Sequence, residues 1–270
     1  MKQIIAFILL ALCASGVFAA ETLYTKVYSP ANGKRLPVSM IIPDAYYADK
    51  TDRFPVMYIL TGRGSDTKSL FKPEDDIYAA DILTAAADKY GILMVVPDSD
   101  KDSWYLDNPG RMYETFCGKE IVAYMDKHYR TIADRDHRII VGNSMGGHGA
   151  LLLSRLNPET FGIVGALAPV TDLTTTPSKD KIKYGSRPRE EVNCLPNAAA
   201  YKGLGLNLYI EIGFHDFLYD MNIAFHNALK EAGVDHVYVE REGHHNKPFW
   251  RPAWRAFVPY AVDKMKESEK

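Results

Sequence analysis

Apolar residues recur along this chain in two alternating rhythms. Short continuous runs at residues 54–60, 92–96, 139–141 and 163–167, with 208–212 and 237–239 completing the set, leave no polar side to face water. Runs of that kind mark strands covered by helices on each face. Segments of helical period separate them, at residues 77–90, 116–129, 147–156, 221–232 and 251–265. In the second of these, Ile121, Tyr124, Met125 and His128 recur at three- and four-residue intervals and so share one face. Residues 23–28 and 36–42 are also strand-like, and Ala31, Asn32 and Gly33 between them are a hairpin signal. The alternation predicts an α/β fold: a mostly parallel, doubly wound sheet with helices on both faces, binding ligands at the carboxyl ends of its strands. Residues 173–205 break the rhythm with charges, three prolines (Pro177, Pro188, Pro196) and three glycines, which predicts an excursion that roofs a site.

The start of the chain follows another logic. Lys2 supplies a positive charge, residues 4–12 are unbroken apolar, and Val17, Phe18 and Ala19 end in small-residue cleavage chemistry. That layout predicts a secretory signal peptide at residues 1–20, a single domain at 21–270, and export to a bacterial periplasm or the exterior. A lipidated start at Cys13 is disfavoured by Leu12, where such signals carry a small residue. The apolar stretch is shorter than the ~20 residues of a bilayer span, and no second candidate follows, so no membrane span is expected. Export would put Cys117 and Cys194 in an oxidising space. Free thiols are the expectation, because Cys117 falls inside a helical segment.

At 270 residues and 47% hydrophobic, the chain has the means to bury a full core, which excludes disordered and coiled-coil readings. Lysine and arginine number 32 against 34 acidic residues, a formal charge of −2. A chain so balanced offers no basic field, and nucleic acid is not expected as a partner.

Gly142, Asn143, Ser144, Met145 and Gly146 fit G-x-S-x-G directly after one strand-like run and before a helical one. In that context the serine sits on a strained strand-to-helix turn, where only glycine clears the backbone two residues before and after it. The helix that follows points its dipole at the hydroxyl. A serine needs a base beside it, and the base needs an orienting carboxylate. Asp216, on a turn after the run 208–212, is the first choice for the acid, Asp172 the second, and Asp220 reads as a solvated helix-start residue. For the base, His244 and His245 follow the last run, and adjacent loop histidines point apart, so only one can serve. The amides of Met145 and Arg63, the latter between Gly62 and Gly64, are the expected oxyanion donors. A metal site built from the paired histidines with His148 and His215 lacks recognisable ligand spacing, so neither metal nor cofactor is expected.

Several motifs carry a resemblance: Ser103-Trp104-Tyr105, Tyr113-Glu114-Thr115, Ser144-Met145-Gly146-Gly147-His148-Gly149, Asp216-Phe217-Leu218-Tyr219, and His245 placed five before Trp250. Over residues 34–261 the chain resembles the esterase D branch of the α/β-hydrolases, with its feruloyl, acetyl-xylan and tributyrin esterases, formylglutathione hydrolases and mycolyltransferases. The resemblance implies Ser144 as nucleophile, Asp216 as acid and His245, over His244, as base. It further implies hydrolysis of short acyl or hydroxycinnamoyl esters, with a carbohydrate-linked ester as substrate. Trp104 and Tyr105, after the run 92–96, either wall the site or pack as aromatic core. An acyltransferase with the same three residues and a non-catalytic carbohydrate-binding relative are the alternative readings. Two positions depart from the family: Thr61 stands where it commonly has histidine, and Lys247-Pro248 where it commonly has tryptophan two residues after the base.

Overall fold

The continuous apolar runs become strands of one eight-stranded sheet, the last of them at its edge. In the computed structural model, which describes residues 20–71, 79–185 and 187–269, the strands are β1 Glu21–Ser29, β2 Lys34–Ile42, β3 Val56–Leu60, β4 Leu93–Pro97, β5 Asp107–Asn108, β6 Arg111–Met112, β7 Arg138–Asn143, β8 Ile163–Leu167, β9 Asn207–Gly213 and β10 His236–Arg241. Sheet order is β1-β2-β4-β3-β7-β8-β9-β10, with β5 and β6 forming a separate small hairpin. β1, β2 and β4 pair antiparallel, and every pairing from β4 through β10 is parallel. Every residue of β3, β4, β7 and β8 is buried, as expected of strands sandwiched between helices. The Met145–Leu156 helix packs on β3, β7 and β8, while the Lys247–Ser268 helix packs on β8, β9 and the Ala80–Tyr90 helix. The mostly parallel α/β architecture predicted from the alternation is therefore the one observed.

Three boundaries differ from the sequence reading for identifiable reasons. β3 opens at Val56, not residue 54, because Pro55 lacks an N–H for the ladder; its carbonyl instead accepts from the Leu93 amide at 3.0 Å. The helix expected at 116–129 starts earlier, at Tyr113–Thr115, widens into one π-helical stretch at Phe116–Glu120, and resumes as Ile121–His128. The widening falls where Gly118 passes Asn157 and Leu153, closely enough that an added Cβ would meet them at 3.2 and 3.4 Å. The last helix runs longer, Lys247–Ser268, because Pro248 is accepted in a first turn, where its missing N–H has no intrahelical partner. The expected signal peptide lies outside the described residues except for Ala20, as do residues 77–78 of the first helical segment, 77–90.

The excursion at 173–205 leaves the sheet after β8 and returns at β9. It consists of short turns, Lys179–Lys181, Arg189–Val192 and Leu195–Tyr201, joined by irregular chain. Cys117 and Cys194 are both buried free thiols. Among the described residues, no helix is long and apolar enough to cross a membrane.

Candidate active site

Ser144 sits at the junction of β7 and the Met145–Leu156 helix with φ 57° and ψ −118°, a conformation that strains any residue other than glycine. Two glycines make this turn possible. A Cβ on Gly146 would stand 2.0 Å from the Leu60 carbonyl oxygen, and one on Gly142 would stand 2.4 Å from Gly146. The turn is also fixed through its own amide, which donates to Leu167 at 2.9 Å, and its carbonyl, which accepts from Val170 at 3.3 Å. The hydroxyl is thereby held at the carboxyl edge of the sheet and at the positive end of a twelve-residue helix.

The other two residues arrive from the ends of neighbouring strands. β9 and β10 pair in parallel with Gly213 opposite Arg241, and their exits stay in contact: the His215 amide donates to Gly243 at 2.9 Å. Gly213 permits this, since a Cβ there would lie 2.4 Å from the Gly243 carbonyl oxygen. The turn after β9 carries Asp216 and the loop after β10 carries His245. His245 Nδ1 donates to Asp216 Oδ2 at 2.7 Å, and Ser144 Oγ donates to His245 Nε2 at 2.8 Å. The second carboxylate oxygen accepts from the Leu218 amide at 2.8 Å. Asp216's side chain is wholly buried, whereas His245 keeps 14% of its own exposed. The imidazole is also gripped by rings, with Phe217 at 4.6 Å and Trp250 at 5.1 Å between centroids.

The competing candidates are placed elsewhere. His244 is exposed, donates from Nδ1 to the His215 carbonyl at 3.2 Å and stacks on the His215 ring. Asp172 accepts from the Thr174 amide and the Asn193 side chain, both at 2.8 Å, closing the neck of the excursion. His148 is fully buried against Trp104 and Cys194, and burial holds its pKa down to about 3. Among the described residues, no group of three or more His, Cys, Asp or Glu side chains is placed to hold a metal ion.

A cavity of about 200 Å³ opens over the Ser144 hydroxyl. Gly62 and Arg63 border it, and a Cβ on Gly62 would fall 3.6 Å from Ser144 Cβ, so this loop runs alongside the elbow. Met145 opens the helix, where a first-turn amide has no intrahelical acceptor. Thr61, where the family commonly has histidine, is buried and its hydroxyl lies 2.8 Å from that of Ser99.

Trp104 lines the cavity, whereas Tyr105 does not. Both residues adopt positive φ, 55° and 57°, so their side chains part company. Tyr105 turns inward, fully buried, and its hydroxyl supports the loop from beneath by donating to the Thr61 carbonyl at 2.9 Å. The remaining walls include Val170, Thr176, Pro177, Ser178, Phe217 and Trp250. Only their neighbourhood was readable beforehand: Phe217 follows the acid, Trp250 occupies the helix after the base, and Thr176 to Ser178 belong to the anticipated roof. Trp250 supplies an indole beside the imidazole although Lys247 and Pro248 replace the tryptophan common in the family.

Comparison with known proteins places the chain in a family. The Esterase family model matches residues 29–260. Esterase MT1326 of Mycobacterium tuberculosis (strain CDC 1551 / Oshkosh) is 33% identical over 134 residues, which cover 47% of this chain and 28% of that protein; the chain thus spans under a third of that relative's length. An acetyl esterase of Caldicellulosiruptor saccharolyticus is 27% identical over 183 residues, 60% of this chain and 68% of that one. Among solved structures, a ferulic acid esterase superposes with a TM-score of 0.81 at 25% identity, over 92% of this chain and 99% of its own. The chain belongs to the Esterase family, in the esterase D-like branch of the α/β-hydrolases.

Proposed function

We propose that this chain is an exported serine carboxylesterase that hydrolyses short acyl or hydroxycinnamoyl esters carried on carbohydrate. Residues 1–20 act as its removable leader and residues 21–270 as one catalytic domain. The observation that carries the reading is the unbroken hydrogen-bond chain Ser144–His245–Asp216, at 2.8 and 2.7 Å, opening into a cavity.

In the reaction, Ser144 Oγ attacks the ester carbonyl carbon as its proton passes to His245 Nε2. Asp216 keeps the Nδ1–H tautomer and stabilises the imidazolium. The amides of Met145 and Arg63 receive the negative charge that develops on the carbonyl oxygen. Collapse expels the alcohol, which takes the proton from His245 and leaves an acyl-serine. Water then loses a proton to His245, attacks the acyl carbon, and releases the acid as Ser144 recovers its proton. No cofactor enters. The aromatic and aliphatic walls, Trp104, Val170, Pro177, Phe217 and Trp250, suit an apolar or aryl acyl group in about 200 Å³.

The decisive experiment combines a fluorophosphonate probe with hydrolysis of acetyl, butyryl and feruloyl esters. Wild type should label stoichiometrically, and Ser144→Ala should lose labelling and about 10⁴–10⁶ of turnover. Absence of labelling in folded wild-type protein would overturn the assignment. The ester that turns over fastest identifies the acyl group, and a sugar acceptor in the assay separates hydrolysis from transfer.

A further inference from the structure

Glu114 stands in the Tyr113-Glu114-Thr115 motif, away from the cavity lining, and has no part in the chemistry above. Its side chain is nevertheless only 10% exposed, and a carboxylate removed from water needs a partner. The partner is Arg187, which lies 73 residues downstream in the excursion. Arg187 Nε donates to Glu114 Oε2 at 2.8 Å and Oε1 at 3.1 Å, and Nη2 donates to Oε1 at 2.6 Å, so both carboxylate oxygens are engaged. A fork-on-carboxylate contact of this kind fixes direction as well as distance.

The surrounding chain is mated in the same place. Asn108 Nδ2 donates to the Lys183 carbonyl at 3.0 Å. Gly185, at φ +66°, lies so close that a Cβ would meet the Asp107 carbonyl oxygen at 1.8 Å. Asp107 in turn accepts from the Thr115 amide at 3.0 Å and its hydroxyl at 2.5 Å, tying this surface to the start of the Glu114 helix. The other end of the excursion is closed by Asp172 and by Leu173, whose amide donates to Asn193 Oδ1 at 3.0 Å. Thr176, Pro177 and Ser178, which line the cavity over Ser144, lie in the chain between these two attachments. The neck alone would hold that stretch at one end only.

Resting on the esterase reading, we infer that the Glu114–Arg187 ion pair is a latch that seats Thr176, Pro177 and Ser178 as the cavity wall, so that it governs substrate affinity and acyl-group preference. Both residues are positioning residues: they act through the wall and touch neither the substrate nor the reacting atoms. An acyl group long enough to reach that wall should sense the latch. An acetyl group at the hydroxyl should not.

The test uses wild type, Arg187→Ala, the milder Arg187→Lys and Glu114→Gln, and the Glu114→Gln/Arg187→Ala double variant. Each is assayed with p-nitrophenyl acetate and methyl ferulate, by fluorophosphonate labelling, and by limited proteolysis within 173–205. Expected for Arg187→Ala is a rise of about tenfold in KM for methyl ferulate, with kcat within about threefold, because a displaced wall removes binding contacts from a substrate that needs them. Acetate hydrolysis and labelling should stay within about threefold of wild type, and cleavage in the excursion should accelerate. Arg187→Lys, keeping the charge without the fork, should fall between, and the double variant should be no worse than Arg187→Ala, since both remove one contact. An unchanged KM for methyl ferulate, an equal loss on both esters, or additive effects in the double variant would each overturn the latch. Wild type that neither labels nor turns over acetate would overturn the esterase reading instead, so the two failures are told apart.

Discussion

Around Ser144 the backbone has no room to vary, whereas the chain that walls the same cavity is irregular and held by side chains. β7 and nearly all of the Met145–Leu156 helix are buried, and the elbow between them works only because Gly142 and Gly146 lack a Cβ. Among the described residues the excursion has no strand and only short turns, and Asp172, Asn193, the Asn108–Lys183 contact and the Glu114–Arg187 pair are among its attachments. The contrast separates two jobs. A nucleophile must be held within a fraction of an ångström, so it is built on elements whose packing allows one answer. A binding wall has to match a substrate, and loops tied by a few polar contacts can change without disturbing the sheet.

The two regions should part most clearly at their aspartates, Asp216 beside the base and Asp172 at the neck of the excursion. Asp216→Asn should cost about 10⁴ in kcat, because the carboxylate that sets the His245 tautomer is lost. Asp172→Asn keeps a carbonyl oxygen for Thr174 or Asn193 and should leave kcat within about threefold while shifting KM. Steady-state kinetics on both variants decides it, and equal losses would mean that the neck of the excursion belongs to the catalytic apparatus. His245→Ala should match Ser144→Ala, and His244→Ala should retain most activity.

Next in size is the elbow itself. Gly146→Ala forces a methyl group to within 2.0 Å of the Leu60 carbonyl oxygen, with backbone on both sides. Overpacking of this sort costs about 1–3 kcal/mol or more, so denaturant melts should show a clear loss of stability together with a drop in activity. A neutral outcome would show the elbow to be looser than its packing implies.

The smallest effect concerns the seam between the two regions. His148 belongs to the elbow helix and lies with Nδ1 3.6 Å from Cys194 Sγ of the excursion. Burial lowers its pKa from 6.5 to about 3. The unfolded chain therefore takes up a proton below about pH 6.5 that the folded protein refuses until near pH 3, so stability is full above 6.5 and declines as pH falls between these values. The decline attributable to His148 is up to about 1.4 kcal/mol per pH unit. Urea melts from pH 7 to pH 4 should show a shallower dependence in His148→Asn, and an unchanged slope would remove this residue from the acid sensitivity.

Much of the molecule was readable in the order of its residues. The buried runs that became β3, β4, β7 and β8 needed only their own apolar character to be recognised, and the elbow announced itself through glycines two before and two after Ser144. Asp216 and His245 could be narrowed to loops following predicted strands, since such loops open at the carboxyl edge of the sheet. Selection of His245 over its neighbour required the resemblance, because adjacent histidines carry the same local information. Whether Tyr105 faces the cavity or the core stayed open in the sequence, as its direction depends on two consecutive left-handed residues that no side-chain preference announces.

By itself, then, the order of amino acids determined what depends on near neighbours: strand and helix period, the strained turn, and the inventory of nucleophile, base and acid. Tertiary structure alone decided which groups meet across distance. It brought residue 245 against residue 144, made Asp172 a brace for a neck, and paired Glu114 with Arg187. The reason is physical. Steric limits and periodicity act over a few residues and leave a local trace, whereas a contact between distant positions depends on the register of the whole sheet and the path of every loop between them.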